Sequence, residues 1–434
     1  MASFTDLVAG RIRHRRQEFL AGLSPEPQGS IEDVLEAGVQ SLWRPLAPDV
    51  SDAQVERFPP GLAAAVDGSR ALRALNSGTD WVVAQALLVG PDGLRLAAAD
   101  TILLRGEIER PAVDRCAALV MRALELGLAL KFAQSGSGNL LLLDGSLYAD
   151  LPHLLYSLAV PGREDLPLLV LQRYLDLFAC CQAREILLLG LAKSARSTVL
   201  GRAILDGGSQ QTHRPASHAT AEGATGSLAA DALETVPNAD VAPPLPTLTN
   251  PSGWSGAYAG LPTDAEILHR WTAGAGYCAP ILLGTASFGH RRGPVTRDPG
   301  ALAEHFGDGQ FSAAERRDIL RRLPTAPAIG TFYVRFAPGD DALRVDAPAS
   351  AFGYGDQRLL DFPHRLLPHQ AAVPLVERLL GDYGGASVYN AALYVVDHEV
   401  RLGAATVDQV YLSVLRRQLG IHVQYDRSTR RFVR

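Results

Sequence analysis

The sequence has few of the residues that would place it in several common classes of protein. Cysteine occurs only four times in 434 residues and never as a C-x-x-C pair, and lysine occurs only at 131 and 193. The cysteine pattern argues against a zinc site and fits a cytoplasmic, reducing compartment. No run of about 18 uncharged apolar residues is present, so no membrane span is expected. The N-terminal stretch also lacks the continuous apolar core of a signal peptide.

A phosphate-binding loop is missing as well. GLAKS at 190–194 has a Lys-Ser pair but not the spaced glycines of that loop, so the chain is not expected to be an ATP motor by itself. The net charge of −5 gives no global attraction for nucleic acid, although a local basic groove is enough to bind phosphates. A hydrophobic content of 47% and a charged content of 20% are typical of a soluble protein with a real core.

Apolar periodicity predicts an α/β fold. The expected strands and helices are strands at 61–67, 81–90, 94–105, 139–144 and 185–191, and helices at 111–131 and 165–182. The resulting order, β-β-β-α-β-α-β, is that of the ribonuclease H-like fold, a mixed sheet flanked by helices. In that architecture the first and fourth strands lie side by side.

The remaining segments divide the chain further. An N-terminal helical extension is expected over 1–58, with an amphipathic helix at 4–23. The first part of the ribonuclease H-like core is expected over 59–205. Residues 206–253 are rich in Gly, Ala, Ser, Thr and Pro. This composition predicts a flexible insertion that contributes no catalytic residues. Residues 254–434 are expected to complete the nuclease domain, with a helix start at Thr263, a capping box at 312–315 and a strand pair at 331–336 and 342–348.

Asp-Gly-Ser occurs twice, at 67–69 and 144–146, each time after an apolar run. A turn is the simpler interpretation of either motif alone. If the two strands are neighbours, however, Asp67 and Asp144 form one site. Adjacent carboxylates repel each other and persist near neutral pH best when a cation binds them, and Mg²⁺ and Mn²⁺ prefer such oxygen ligands. Two such ions about 3.5–4 Å apart suit phosphodiester cleavage.

Further ligands are available along the chain. Glu125 is a lone acid in the apolar second half of its predicted helix, where a solvated helix face is the alternative interpretation. His364 and His369 are candidates for a nitrogen ligand or a proton-transfer group, although most helical histidines are structural. The fifth predicted strand presents Lys193 at its end.

The motifs together resemble the NurA family of DNA nucleases. The matching pieces, in family order, are AVDGSR at 65–70, LEL at 124–126, LLLDGSL at 141–147, GLAKSARS at 190–197, and FYVRF with LRVDAP at 332–348. DFPHRLLPHQAA at 361–372 is similar to the family's Tyr-Pro…Leu…Ala-His segment. It departs from that segment at Phe362, where the hydroxyl is missing unless Tyr354 supplies it.

The resemblance implies a ribonuclease H-like core, a Mn²⁺-dependent nuclease in which Mg²⁺ could substitute, a two-metal site and a ring-like homodimer. It also implies a HerA-type hexameric ATPase as partner. The N-terminal helix could pack on the core, pair with another subunit or dock that partner, and packing is the simplest of the three interpretations. By matching position, the implied metal ligands are Asp67, Glu125, Asp144 and His369. The implied contacts to DNA phosphates are Lys193, Arg70 and Arg196.

The function expected from these residues is a metal-dependent deoxyribonuclease that processes DNA ends for recombinational repair. It is expected to combine 5′-to-3′ exonuclease with single-strand endonuclease activity. An inactive ring-shaped DNA clamp or regulatory subunit of a translocase is the first alternative. A different ribonuclease H-like enzyme, such as a ribonuclease or resolvase, is the second. In the third, both Asp-Gly-Ser motifs are purely structural.

Overall fold

The structure is a computed structural model that describes residues 4–23, 30–46, 63–193, 197–212, 261–284, 298–307, 309–360, 364–420 and 423–425. Arg196, Phe362 and the predicted insertion from position 213 onward lie outside these ranges. None of the described helices is long and apolar enough to cross a membrane.

The described strands form one mixed sheet. They are β1 Trp43–Pro45, β2 Ala64–Ala74, β3 Asp80–Val89, β4 Arg95–Leu104, β5 Leu140–Asp144, β6 Leu187–Ala192, β7 Gly276–Cys278, β8 Ile281–Leu283, β9 Ile329–Arg335, β10 Leu343–Pro348 and β11 Arg365–Leu366. The order across the sheet is β1-β7-β9-β10-β6-β5-β2-β3-β4, and β8 joins β9 to β11. The β2–β5 and β5–β6 pairs are parallel, and the other pairs are antiparallel.

The main helices lie between and after these strands. They are α1 Phe4–His14, α2 Arg16–Leu23, α3 Ser30–Leu42, α4 Arg110–Ser135, α5 Leu166–Ala183, α6 Val199–Thr212, α7 Asp264–Trp271, α8 Pro299–Glu304, α9 Ala313–Arg321, α10 Val373–Leu380, α11 Ala391–Val400 and α12 Leu412–Leu419. A π-helical segment, Thr406–Tyr411, leads directly into α12. Helix α4 packs against β2, β3 and α5, and α11 packs against β2 and β3.

The predicted order of elements in the first half of the core is confirmed. Strands β2, β3 and β4 form the antiparallel start, α4 follows, and β5 returns parallel to β2. All four leucines of β5 are buried, which is the continuous apolar pattern of a parallel strand in the interior of a sheet. Each fully buried leucine side chain contributes about 1.5–3 kcal/mol.

Two local predictions were wrong. The first predicted strand does not end at Asp67, because β2 continues to Ala74 and stays paired with β3 throughout. The first Asp-Gly-Ser is therefore part of a strand, and only the second forms a turn, with Gly145 at a φ of 97°. The predicted helix over 4–23 is divided into α1 and α2.

Predictions for the C-terminal half are confirmed where they can be compared. Strands β9 and β10 are the predicted strand pair; they are antiparallel, and β10 also pairs with β6. Thr263 and Ser312 cap α7 and α9 with reciprocal capping boxes. The second half of the chain therefore extends the sheet from the edge of β6.

Candidate active site

The parallel pairing of β2 and β5 brings the two aspartates together. Val66 is opposite Leu143, so the next residues, Asp67 and Asp144, lie side by side at the carboxyl end of β5. Asp67 is only 9% exposed, and its Oδ1 accepts a hydrogen bond of 2.7 Å from the Gly68 amide. Two carboxylates thus lie next to each other in a site that is largely shielded from solvent.

Glu125 approaches the same place from helix α4. It is 2% exposed, and its Oε2 accepts a hydrogen bond of 2.7 Å from Arg122 Nη1. A Cβ atom added to Gly68 would lie 2.4 Å from Glu125 Oε1 and 2.7 Å from Met121 Cγ. The glycine of the first Asp-Gly-Ser therefore leaves the space that Glu125 occupies.

Arg122 connects the helix to the turn after β5. Its Nη1 donates to the Asp144 carbonyl at 3.1 Å, and its Nε lies 3.3 Å from Asp150 Oδ2. A Cβ atom on Gly145 would lie 2.9 Å from Arg122 Nη2. The second glycine is therefore required both by its left-handed backbone and by the close approach of this guanidinium.

Lys193 and two residues that the sequence did not single out complete the cluster. Lys193 Nζ lies 3.5 Å from Asp144 Oδ2 and 3.7 Å from Asp397 Oδ2. The same ammonium is 4.3 Å from the centre of the Tyr389 ring. Asp397 also pairs with Arg401 at 2.8 Å.

Burial and mutual repulsion raise the pKa values of the buried acids. Burial, followed by the charge of Asp144, raises the pKa of Asp67 to about 6 despite the hydrogen bond from Gly68. Burial also raises the pKa of Glu125 to about 7, although Arg122 opposes it. The pKa of Asp144 is raised by burial against the pull of Lys193. Partly protonated acids near neutral pH are a frequent mark of functional sites.

Asp397 behaves differently from the other three acids. Burial alone would raise its pKa, but the hydrogen bond from Arg401 and the charge of Lys193 outweigh burial and lower the pKa. Asp397 is therefore the acid of the cluster that holds its negative charge most readily.

The structure does not bring every predicted site residue into this cluster. Within the described residues, His369 lies against the Leu42 carbonyl, 2.8 Å from its Nε2, and edge-on to Tyr277. His364 accepts a hydrogen bond of 3.0 Å from the Gly284 amide. Arg70 is exposed and donates to the Asp114 carbonyl at 3.0 Å.

Tyr389 and Asp397 lie outside 361–372, the segment identified from the sequence as similar to the family's Tyr-Pro…Leu…Ala-His segment. In the structure, Tyr389 precedes the Asn390 cap of α11, and Asp397 lies on that helix. The sequence YNAALYVVDH at 389–398 has a tyrosine, a leucine and a histidine, Tyr389, Leu393 and His398, in the same order. That order was a weak signal that could have pointed to this helix.

The donor set fits a hard divalent cation. Its potential ligands are carboxylate oxygens, which Mg²⁺ and Mn²⁺ prefer. As they stand, no three or more His, Cys, Asp or Glu residues in the described part of the chain are arranged as a metal site. Lys193 Nζ lies 3.5 Å from Asp144 Oδ2, so a metal bound at that oxygen would compete with this ammonium.

Comparisons with known proteins bear on the identity of this cluster. The sequence model of the NurA domain family matches residues 61–402. A crystal structure of NurA bound to dAMP and manganese shares 13% identity, covers 92% of this chain and 96% of its own, and has a TM-score of 0.47. A crystal structure of NurA with manganese shares 14% identity, covers 93% and 98%, and has a TM-score of 0.46.

A more distant match is the Ciona intestinalis Endonuclease V in complex with a 24mer DNA containing an inosine followed by a ribo-adenosine. It shares 9% identity, covers 38% of this chain and 65% of its own, and has a TM-score of 0.17. The search of curated proteins returned no match to this chain.

Proposed function

Because the chain belongs to the NurA family, whose model matches residues 61–402, we propose that it is a metal-dependent DNA nuclease. The proposal includes Mn²⁺ as the cofactor, with Mg²⁺ as a substitute, and a two-metal site. The NurA structures solved with manganese, one of them with dAMP, support a metal and a deoxynucleotide as the ligands of such a protein.

The observation that carries the proposal is the convergence of Asp67, Glu125 and Asp144 from two strands and a helix. Burial and repulsion make their ionised forms unfavourable without a cation. A cluster built in this way gains stability when a divalent ion binds it. Arg122 and Lys193 offset part of this charge at Glu125 and Asp144, yet the pKa values of all three acids stay raised.

Bound divalent ions would activate a water for attack on phosphorus and stabilise the leaving 3′ oxygen. The chain's own groups prepare the site for this chemistry. Arg122 holds Glu125 and the backbone at Asp144 in place through its two hydrogen bonds. Lys193, once released from Asp144, is close enough to meet a substrate phosphate as a point charge.

Tyr389 is a candidate donor to the substrate. Its Oη is buried and has no hydrogen-bond partner among the described residues. Burial and the charges of Asp144, Asp397 and Asp67 raise the pKa of this phenol, so it stays protonated at neutral pH. A buried hydroxyl of this kind gains a partner when a phosphate oxygen binds beside it.

We assign the fourth ligand position to Asp397, whereas the resemblance implied His369. Asp397 shares Lys193 with Asp144, while His369 lies against Leu42 and Tyr277. If Asp397 is the fourth ligand, its substitution should weaken metal binding. If His369 is the fourth ligand, substitution of His369 should do so instead, so one experiment can separate the two assignments.

The finer features of the proposal rest on the family resemblance. We propose 5′-to-3′ exonuclease and single-strand endonuclease activity in DNA end processing, a homodimer, and a HerA-type hexameric ATPase as partner. The missing phosphate-binding loop supports a separate motor. Exposed apolar side chains on α1 and α2, namely Val8, Ile12 and Phe19, support a docking role for these helices. The ribonuclease H-like assignment is supported by the strand order around β5.

The test is cleavage of 5′-labelled single-stranded and duplex DNA with Mn²⁺, Mg²⁺ or EDTA, together with Mn²⁺ titration of each protein. We expect metal-dependent cleavage by the wild type and a loss of about 100-fold or more in Asp67→Ala, because a ligand matters at least as much as the groups that orient it. Asp397→Asn is expected to weaken Mn²⁺ binding, and His369→Ala is expected to leave it unchanged.

The alternatives predict other results. If the wild type neither cleaves DNA nor binds Mn²⁺, even with the ATPase present, the chain is an inactive DNA clamp or regulatory subunit. Cleavage of RNA or of hybrid or junction substrates in preference to linear DNA would indicate a different ribonuclease H-like enzyme. If Asp67→Ala still cleaves DNA, the proposed assignment of the active site is wrong.

A further inference from the structure

A buried ion pair lies two strands away from Asp144. Arg344 and Asp346, both on β10, are 4% and 0% exposed. Arg344 Nε donates to Asp346 Oδ1 at 2.9 Å, and its Nη2 donates to Oδ2 at 3.3 Å. Replacing such a pair with apolar residues is often neutral or stabilising, so its contribution to stability is a weak explanation for its presence.

Asp346 binds the turn that follows Asp144. Its Oδ2 accepts hydrogen bonds from the amides of Leu147 at 3.0 Å and Tyr148 at 3.3 Å, and from the hydroxyl of Ser146. Ser146 Oγ in turn accepts from the amides of Tyr148 at 3.1 Å and Ala149 at 2.9 Å. The carboxylate thus fixes the backbone immediately after Asp144.

A glycine in the intervening strand allows this contact. Gly190 of β6 lies opposite Asp346 on one side and Leu143 on the other. A Cβ atom at position 190 would lie 2.7 Å from the Gly145 carbonyl oxygen and 2.8 Å from Leu147 Cγ. The turn therefore lies directly over β6, within reach of β10.

Arg344 lies opposite Ala192, the residue before Lys193, and also contacts Ser197, four residues after Lys193. Its Nη1 donates to Ser197 Oγ at 3.2 Å. The Ser197 carbonyl accepts a hydrogen bond of 2.7 Å from the Asp264 amide, which attaches Ser197 to the start of α7. One ion pair therefore contacts the turn after Asp144 through Asp346, and the residues on either side of Lys193, Ala192 and Ser197, through Arg344.

We propose that the Arg344–Asp346 pair positions Asp144 for metal binding and Lys193 for the substrate phosphate. Asp346 is a positioning residue and not a ligand, because it is fully buried and both of its oxygens accept hydrogen bonds from the protein. This inference rests on the proposed function, since it concerns the same metal site.

The test measures Mn²⁺ binding to the full-length chain without DNA, by the electron paramagnetic resonance of free Mn²⁺, together with thermal unfolding. We expect Asp346→Asn to weaken Mn²⁺ binding by about 10- to 100-fold, as for other groups that orient ligands. Ser146→Ala should change it in the same direction by a smaller factor. The matched control is Asp165→Asn, a buried acid that accepts from the Phe311 amide at 2.7 Å and should keep wild-type affinity.

Each outcome has one interpretation. If the wild type fails to bind Mn²⁺, the proposed function is wrong. If the wild type binds, and both Asp346→Asn and Ser146→Ala bind equally well, the positioning role is wrong. If Asp165→Asn weakens binding as much as Asp346→Asn at equal loss of stability, the effect is general destabilisation and the positioning role is again wrong. Should Asp346→Asn not fold, Ser146→Ala decides.

Discussion

The raised pKa of Asp67 predicts that one substitution stabilises the metal-free protein while destroying its site. Asp67→Asn replaces a 9% exposed carboxylate with a neutral group of nearly the same shape. The amide oxygen can still accept the hydrogen bond from Gly68. The variant therefore removes the charge of Asp67 and little else.

The size of the effect follows from the pKa. A rise from 3.8 to about 6, at about 1.36 kcal/mol per pH unit, makes the ionised carboxylate about 3 kcal/mol less favourable in the folded state. The folded protein retains this proton more tightly than the unfolded chain, so its stability falls as the pH rises from about 4 through 6. Asn avoids that loss. We expect Asp67→Asn to gain up to about 3 kcal/mol at pH 8 and nothing near pH 4.

The assay is thermal unfolding in EDTA at pH values from 4 to 8, repeated with Mn²⁺. In a chain of this length about 3 kcal/mol corresponds to about 3 °C in melting temperature. Mn²⁺ should reverse the order of the two proteins at pH 8, because it stabilises only the form that binds it. Asp100→Asn is the matched control, since Asp100 accepts the same kind of hydrogen bond from Thr101 but is exposed on β4.

Two results would contradict the pKa reasoning, and a third would contradict the role of Asp67 in metal binding. A gain that is equal at pH 4 and pH 8 would mean that charge burial is not the cause. No gain at pH 8 would mean that the wild-type carboxylate is not strained by burial and by Asp144. If Mn²⁺ stabilises the wild type and the variant equally, Asp67 is not a ligand of the metal.

Two further predictions concern the neighbours of the carboxylates. Gly68→Ala should displace Glu125, because the added methyl lies 2.4 Å from its Oε1, and Mn²⁺ binding should fall about 10-fold, while Gly274→Ala, with nothing within 4 Å, should keep wild-type binding. Lys193→Met should strengthen Mn²⁺ binding without DNA, because the ammonium competes for Asp144 and Asp397, and should still reduce DNA cleavage. If Lys193→Met instead loses both Mn²⁺ binding and cleavage, Lys193 supports the metal site and does not compete with the metal.

The part of the site closest in sequence could be predicted because its geometry follows from strand order. Once β2 and β5 are parallel neighbours, Asp67 and Asp144 must meet. Glu125 was identifiable because a single acid in an apolar stretch of helix is unusual. These residues are brought together by regular elements whose periodicity is written in the sequence.

The remainder depends on contacts between distant segments. Asp397 is followed by Arg401 one helical turn later, a pattern that looks like an ordinary surface ion pair. Only the packing of α11 against β2 brings it to Lys193. The turn interpretation of the first Asp-Gly-Ser is wrong for a more local reason, because pairing with the next strand, β3, overrides the preference of Asp-Gly for a turn.

The two Asp-Gly-Ser motifs share a physical reason although one is a strand and the other a turn. In each, the aspartate supplies a carboxylate, and the glycine leaves room for a side chain of α4, Glu125 at Gly68 and Arg122 at Gly145. The serines then diverge. Ser69 Oγ accepts a hydrogen bond of 2.9 Å from the Leu402 amide, just beyond α11, whereas Ser146 binds Asp346 of β10. Each serine thus attaches its strand to a later segment that completes the site.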